Sequence, residues 1–350
     1  MMMKKIKGIV ALTLAVLMML ALAACGATPA PEETAAEEPA PVAEVRTFTM
    51  AMDTPEDTVT FLYGQKFGQL LEEKSAGRFK VQLYPNGQLG KDKETIESLL
   101  AGEIDFIVQT TAPQVSFVPK LGVFDMPMVY SDVNVARKVL DSAFFDTMDK
   151  IYADAGIKLL GFADQGFRTL TTNKKVETLA DFNGQKIRTM ENPNHVEFWK
   201  SLGANPTPMA FGEVYIALQQ GAIDGQENPY EVIAANKLYE QQKYVINTNH
   251  ILHTLTLISN LELYNTLSPE DQKIFDEAVA EAKVFARQQT DARLADRAKI
   301  ITDAGSQILD ITPELRAQMQ EKAQSTYALI RANVGDELVD ELLNAVKAAQ

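Results

Sequence analysis

Apolar and polar positions alternate over Arg46–Ala51, with Phe48 and Met50 opposing Thr47 and Thr49, and this period of two predicts a strand. Thr54-Pro55-Glu56-Asp57 follows with an N-cap hydroxyl, a proline at the first helical position and an acid at the third. It predicts a helix reaching about Ala76. Phe79–Tyr84 alternates again, and Pro85-Asn86-Gly87 stops it. Lys91–Ala101 predicts a helix with the stripe Ile96, Leu99 and Leu100, and Ile104–Val108 is short and apolar enough for a buried parallel strand. Strand, helix, strand, helix, strand at this spacing is the pattern of βαβ units.

Phe124-Asp125-Met126-Pro127-Met128 then reads as an irregular segment, with helical stretches over roughly 132–155 and a strand at Ile157–Ala163. A second α/β block starts near Arg168. It contains the strand Lys186–Met190 after the Asn183-Gly184 turn, and helices at about 195–202 and Val214–Gln220. Ile251–Ile258 predicts a strand leading back to the first block. Ser268-Pro269-Glu270-Asp271 repeats the capping pattern and opens a long helix, reaching about Ala304, whose stripe includes Phe275, Ala278, Ala282 and Ala286. Such a length suits an element that braces two lobes. Thr312-Pro313 starts the last helical region. The expected organisation is α/β: lobe 1 at 45–165, lobe 2 at 166–250, and 251–350 returning to lobe 1 and touching both. Small-molecule sites favour the cleft between such lobes.

The segment before this body describes an address. Lys4, Lys5 and Lys7 precede the apolar run Ile9–Ala24, as in a secretory leader covering 1–24 that is short for a membrane span. The run ends Leu22-Ala23-Ala24-Cys25-Gly26, which is similar to the lipobox of a bacterial lipoprotein. Cys25 is the sole cysteine of the chain and the expected lipidation site, anchoring the protein to membrane lipid. Residues 25–44, rich in Ala, Pro and Glu, are expected to form a flexible tether.

Composition narrows the chemistry. The 350 residues carry 33 basic against 47 acidic side chains, a net charge of −14, which argues against a nucleic-acid partner. One Cys and three His leave little for a metal centre, and no cofactor is expected; Gly156, Gly161 and Gly166 lack the strand–turn–helix context of a dinucleotide fingerprint. Gln109, Thr110 and Thr111 follow an apolar strand, where a parallel sheet presents side chains to ligands. His195 sits near a helix start as a packing, capping or ligand-contacting residue. His250 and His253 on one strand should face opposite sides.

The densest signature is Leu202-Gly203-Ala204-Asn205-Pro206-Thr207-Pro208-Met209, followed by Phe211-Gly212-Glu213-Val214-Tyr215 and Gln219-Gln220-Gly221-Ala222-Ile223-Asp224-Gly225-Gln226-Glu227-Asn228-Pro229. With Tyr84-Pro85-Asn86-Gly87-Gln88-Leu89-Gly90, Gly166-Phe167-Arg168 and Gly184-Gln185-Lys186-Ile187-Arg188, it resembles the dicarboxylate-binding subunit of tripartite ATP-independent periplasmic (TRAP) transporters over nearly all of 45–345. The resemblance implies a two-lobed, periplasmic-binding-protein-like fold with an interlobe cleft and a long bracing helix. It also implies that Arg188 clamps a ligand carboxylate, that Arg168 adds a second contact, and that Asn228 reaches the same group. Asp92 and Glu94 would meet ligand hydroxyls or amines. Glu213 and Tyr215 would line the pocket or organise the surface between lobes.

A guanidinium is suited to this task because its planar fork of donors stays charged and pairs bidentately with a carboxylate. The chain is accordingly expected to be a monomeric, non-catalytic receptor on the extracytoplasmic face of a bacterial membrane. The resemblance implies that it binds a C4-dicarboxylate, uronate or related sugar acid and delivers it to a sodium-coupled TRAP permease. The rival is a lipid-anchored extracellular carbohydrate-active hydrolase. No Gly-x-Ser-x-Gly or His-Glu-x-x-His motif supports it, while a carboxylate pair would.

Overall fold

The computed structural model describes residues 45–350. The leader at 1–24, Cys25 and the rest of the tether region to residue 44 lie outside the described residues.

Two sheets organise the chain. The first is built from β1 (Arg46–Ala51), β2 (Phe79–Tyr84), β3 (Phe106–Thr110), β4 (Ile157–Phe167) and β10 (Leu252–Asn260), in the order β2-β1-β3-β10-β4. Its first three strands are parallel, and β10 runs antiparallel between β3 and β4. The second comprises β5 (Thr169–Thr172), β6 (Lys186–Thr189), β7 (Asn205–Pro208), β8 (Gly225–Asn228), β9 (Tyr244–Asn247) and β11 (Gln307–Asp310), in the order β11-β9-β5-β8-β6-β7. The chain crosses between sheets at Arg168 and again between β9 and β10. Each sheet is the centre of one lobe.

The core of the first lobe is aromatic. Phe48, Phe67, Phe79 and Phe106 pack around Phe275 with ring centroids about 5–6 Å apart, mostly edge to face. Phe275 comes from the helix Pro269–Asp303, whose N-terminus is held by Ser268 accepting from Asp271 N. Its 35 residues span about 50 Å at 1.5 Å per residue. Phe275, Ala278, Ala282 and Ala286 bury against lobe 1, while Ile301 joins the lobe-2 cluster of Val214, Ile223, Ile233 and Val245. One rigid element therefore carries side chains of both cores, as the sequence predicts for a brace.

Several boundaries move, each for a local reason. The first helix covers Val59–Lys74 rather than starting after Thr54, because Thr58 takes the N-cap and accepts from Phe61 N at 3.3 Å. Asp57 is instead held by Arg297. The strand β7 contains Pro206 and Pro208 and is absent from the sequence reading; it is tolerated because it lies at the sheet edge. The strand β11 is likewise unanticipated, a four-residue segment recruited to the opposite edge, with Ile308 and Leu309 packed against the lobe-2 core. The final helical region divides into Pro313–Lys322, Gln324–Val334 and Asp336–Ala349, with Gly335 at φ 94° between the last two.

Candidate functional site

The carboxyl ends of the parallel strands converge from both lobes. After β1 comes Asp53; after β2, the turn Asn86-Gly87 (φ 58° and 66°) and Gly90 (φ 124°) leads into the helix Asp92–Leu100. β3 ends in Gln109 and Thr110. Lobe 2 presents Arg188 on β6 and Asn228 at the end of β8, two parallel neighbours. The approach of β8 to β5 is close enough that a Cβ on Gly225 would lie 2.4 Å from Thr171 O, which accounts for glycine at that position.

Asp53, Asp92, Gln109, Thr110, Arg188 and Asn228 line one cavity between the lobes. Its wall comprises Asp53, Thr54, Thr60, Asp92, Gln109, Thr110, Arg188, Met190, Phe211, Asn228, Val232, His253 and Leu255. The open α/β architecture dictates this location, at the carboxyl edges of the sheets.

Arg188 is 2% exposed. Its Nε and Nη2 donate to the Met209 carbonyl at 3.0 and 2.6 Å, and the ring of Phe211 lies 5.8 Å from Cζ. Those contacts aim the guanidinium without neutralising it: among the described residues no carboxylate lies within ion-pair distance. Burial lowers its pKa to about 10, although Glu227 and Asp92 pull the other way. Buried cations are otherwise paired. Asn228 donates one amide hydrogen to Gln226 Oε1 at 2.6 Å, leaving the other for the cavity.

Opposite stands an acid pair. Burial, then the charge of Asp92, pushes the Asp53 carboxyl well above the usual carboxylate range. Burial also raises Asp92, against the opposing effect of the Gln109 amide. Gln109 Nε2 donates to Asp92 Oδ1 at 2.6 Å and to its main-chain carbonyl at 3.0 Å.

The other expected residues stand elsewhere. Arg168 is not in the cavity wall. It is 1% exposed and forms a buried ion pair with Glu227, with Nη2 to Oε1 at 2.9 Å, while Nη1 donates to His253 Nδ1. Its donors are consumed inside the hinge. Glu94 is exposed and caps its own helix by accepting from Lys91 N at 2.9 Å. Thr111 is buried at the start of a four-residue helix, outside the wall. Glu213 bridges the lobes through Lys91 Nζ at 2.9 Å. Tyr215 donates to Glu240 within lobe 2.

His195 is 1% exposed and meets Asp125 of lobe 1, with Nε2 3.0 Å from Oδ1. His250 and His253 do not point apart. His250 precedes the strand, after Asn249 at φ 44°, and its Nε2 meets Glu227 Oε2 at 3.0 Å while His253 meets Arg168. Sequence reasoning missed Asp53, Thr54, Thr60 and His253. The position of Asp53 after an alternating strand was a usable signal, of the same kind that picks out Gln109.

The model of the DctP family, described as bacterial extracellular solute-binding protein, family 7, matches residues 50–333. The chain belongs to this family. It is a DctP-type extracytoplasmic solute-binding protein of TRAP transporters, a non-catalytic transport component. A solute-binding protein of Verminephrobacter eiseniae is 33% identical over 268 residues, 76% of this chain and 78% of that protein. The fold is similar to the crystal structure of the sugar acid binding protein DctPAm from Advenella mimigardefordensis in complex with galactonate. There the TM-score is 0.84 at 29% identity, over 88% of this chain and 99% of that one. A TRAP periplasmic solute-binding protein from Bordetella bronchispeptica, whose crystal structure has density assigned as pantoate, gives a TM-score of 0.81 at 35% identity over 85% and 99%. The chain here places its cavity between two α/β lobes.

Proposed function

We propose that this binding protein captures a small organic acid by its carboxylate on Arg188 and delivers it to a TRAP permease. The observation that carries the reading is a guanidinium buried in the cavity wall with its fork pinned by Met209 and no carboxylate of the described residues paired to it. A ligand carboxylate supplies the counter-charge, and Asn228 adds a second donor to the same group. The similar proteins described with galactonate and pantoate support an organic acid as ligand. Enclosure between lobes excludes water and strengthens the ion pair. Arg168 supports the site from behind, by holding Glu227 and His253 in place, instead of touching the ligand. Cys25, in its lipobox-like context, tethers the receptor to the membrane beside the permease.

The test is a thermal-shift screen of the purified protein against organic acids, with mass spectrometry of small molecules retained from expression. Stabilisation by carboxylates but not by the matching amides or neutral sugars is the expected result. A response to neutral sugars alone contradicts it.

A further inference from the structure

We infer that the end of the cavity facing Arg188 selects a hydroxyl-bearing monocarboxylate and rejects a second carboxylate. The inference rests on the receptor reading above and adds the class of acid. Both amide hydrogen contacts of Gln109 Nε2 go to oxygens of Asp92, so the amide can be oriented only one way. Its Oε1 is thereby turned from Asp92, and it is buried with no hydrogen-bond partner; Gln109 itself is 4% exposed in the cavity wall. Asp92 and Asp53 stand in the same wall.

This end therefore offers acceptors: the orphaned Gln109 oxygen and the remaining lone pairs of two carboxyl groups. A ligand hydroxyl donates to them and can in turn accept from the hydroxyls of Thr60 or Thr110 in the same wall. A carboxylate at this place donates nothing. It leaves Gln109 Oε1 unpartnered and adds a negative charge beside Asp92, so both hydrogen bonding and Coulomb repulsion oppose it. An ammonium also satisfies the acceptors but leaves the hydroxyl protons of Thr60 and Thr110 without an acceptor on the ligand, which a hydroxyl supplies.

The experiment is calorimetry of the purified protein with two length-matched series. One is D-erythronate, succinate and 4-aminobutyrate; the other is D-galactonate, adipate and 6-aminohexanoate. The hydroxy acid should bind at least about 100-fold more tightly than the dicarboxylate in the series that fits, the scale seen when a site built for hydroxyls meets an analogue lacking them. Asp92→Asn, and separately Asp53→Asn, should narrow that ratio about tenfold or more, because an amide donates to the carboxylate it faces. Binding of the dicarboxylate or the amino acid as tightly as the hydroxy acid overturns the inference, as does an unchanged ratio in both folded variants. If succinate or adipate wins and Arg188→Ala still abolishes its binding, only this inference falls. If no member of either series binds, the receptor reading falls with it.

Discussion

Arg168 and Glu227 form a buried ion pair, 2.9 Å between Nη2 and Oε1, both side chains at 1% exposure or less, one strand away from a second buried arginine that has no such partner. The two arginines look alike in sequence and differ in what surrounds them. Arg168→Ala strands Glu227 without its counter-charge and should cost about 3–5 kcal/mol of stability. Arg188→Ala strands no carboxylate and should leave the melting temperature of the ligand-free protein unchanged or higher. Chemical denaturation of both variants checks this; equal destabilisation would refute the division of roles.

His253 accepts from the Arg168 guanidinium through Nδ1, so it must be neutral in the fold. Burial, then the positive charge of Arg168, holds its pKa well below the ordinary imidazole value, and burial lowers His250 in the same direction. A base with a depressed folded pKa gives stability that is complete above its unfolded value near 6.5 and is lost as pH falls. Unfolding free energy should therefore decline from about pH 6.5 into the acid range. His253→Gln should remove about 1.4 kcal/mol per pH unit from that slope, one proton's worth. An identical slope in the variant would show that His253 does not titrate on unfolding.

Asp53 has the opposite sign. Its pKa is raised in the fold, so the stability it contributes is present below the unfolded value and is lost as pH rises through the folded one. Asp53→Asn places a neutral donor beside Asp92 without needing a proton. Thermal melts should show the variant gaining on the wild type as pH rises from 4 to 8, a stability gain obtained at the expense of the site. A constant difference across that range would contradict the assignment.

Closure has its own fastening. Glu231 of lobe 2 accepts from Val59 N at the start of a lobe-1 helix at 3.2 Å. It is held by Arg297 of the bracing helix at 2.8 Å, and Arg297 also reaches Asp57 at 2.7 Å. Glu231→Ala removes the contact to Val59 N that joins lobe 2 to lobe 1, so ligand should leave faster, with affinity falling about tenfold and mainly through the off-rate. Stopped-flow displacement reads this directly; an unchanged off-rate would mean Glu231 does not stabilise the closed form. The exposed bridges Lys91–Glu213 and Lys93–Glu191 should add only a weak salt dependence.

What the chain revealed before folding follows from range of interaction. Alternation at Phe79–Tyr84 and the Ser268-Pro269 cap are local, and both elements appear where they are expected. Pairing partners are not local: β7 and β11 exist because neighbouring strands recruit them, and no periodicity marks Asn205–Pro208. In the site, Arg188, Asn228, Asp92, Gln109 and Thr110 were legible from motif and strand end. Arg168 stands outside the cavity wall, engaged by a partner 59 residues away, and Glu94 caps its own helix; the first pairing is invisible in local sequence.

The central claim is that the Arg188 fork holds the ligand's carboxylate. Titration calorimetry of Arg188→Lys against the acid that the wild type binds most tightly tests it most directly. Lysine keeps the charge but loses the planar pair of donors and the grip of Met209, so affinity should drop by about two orders of magnitude or more. Affinity within a factor of two of the wild type would contradict it.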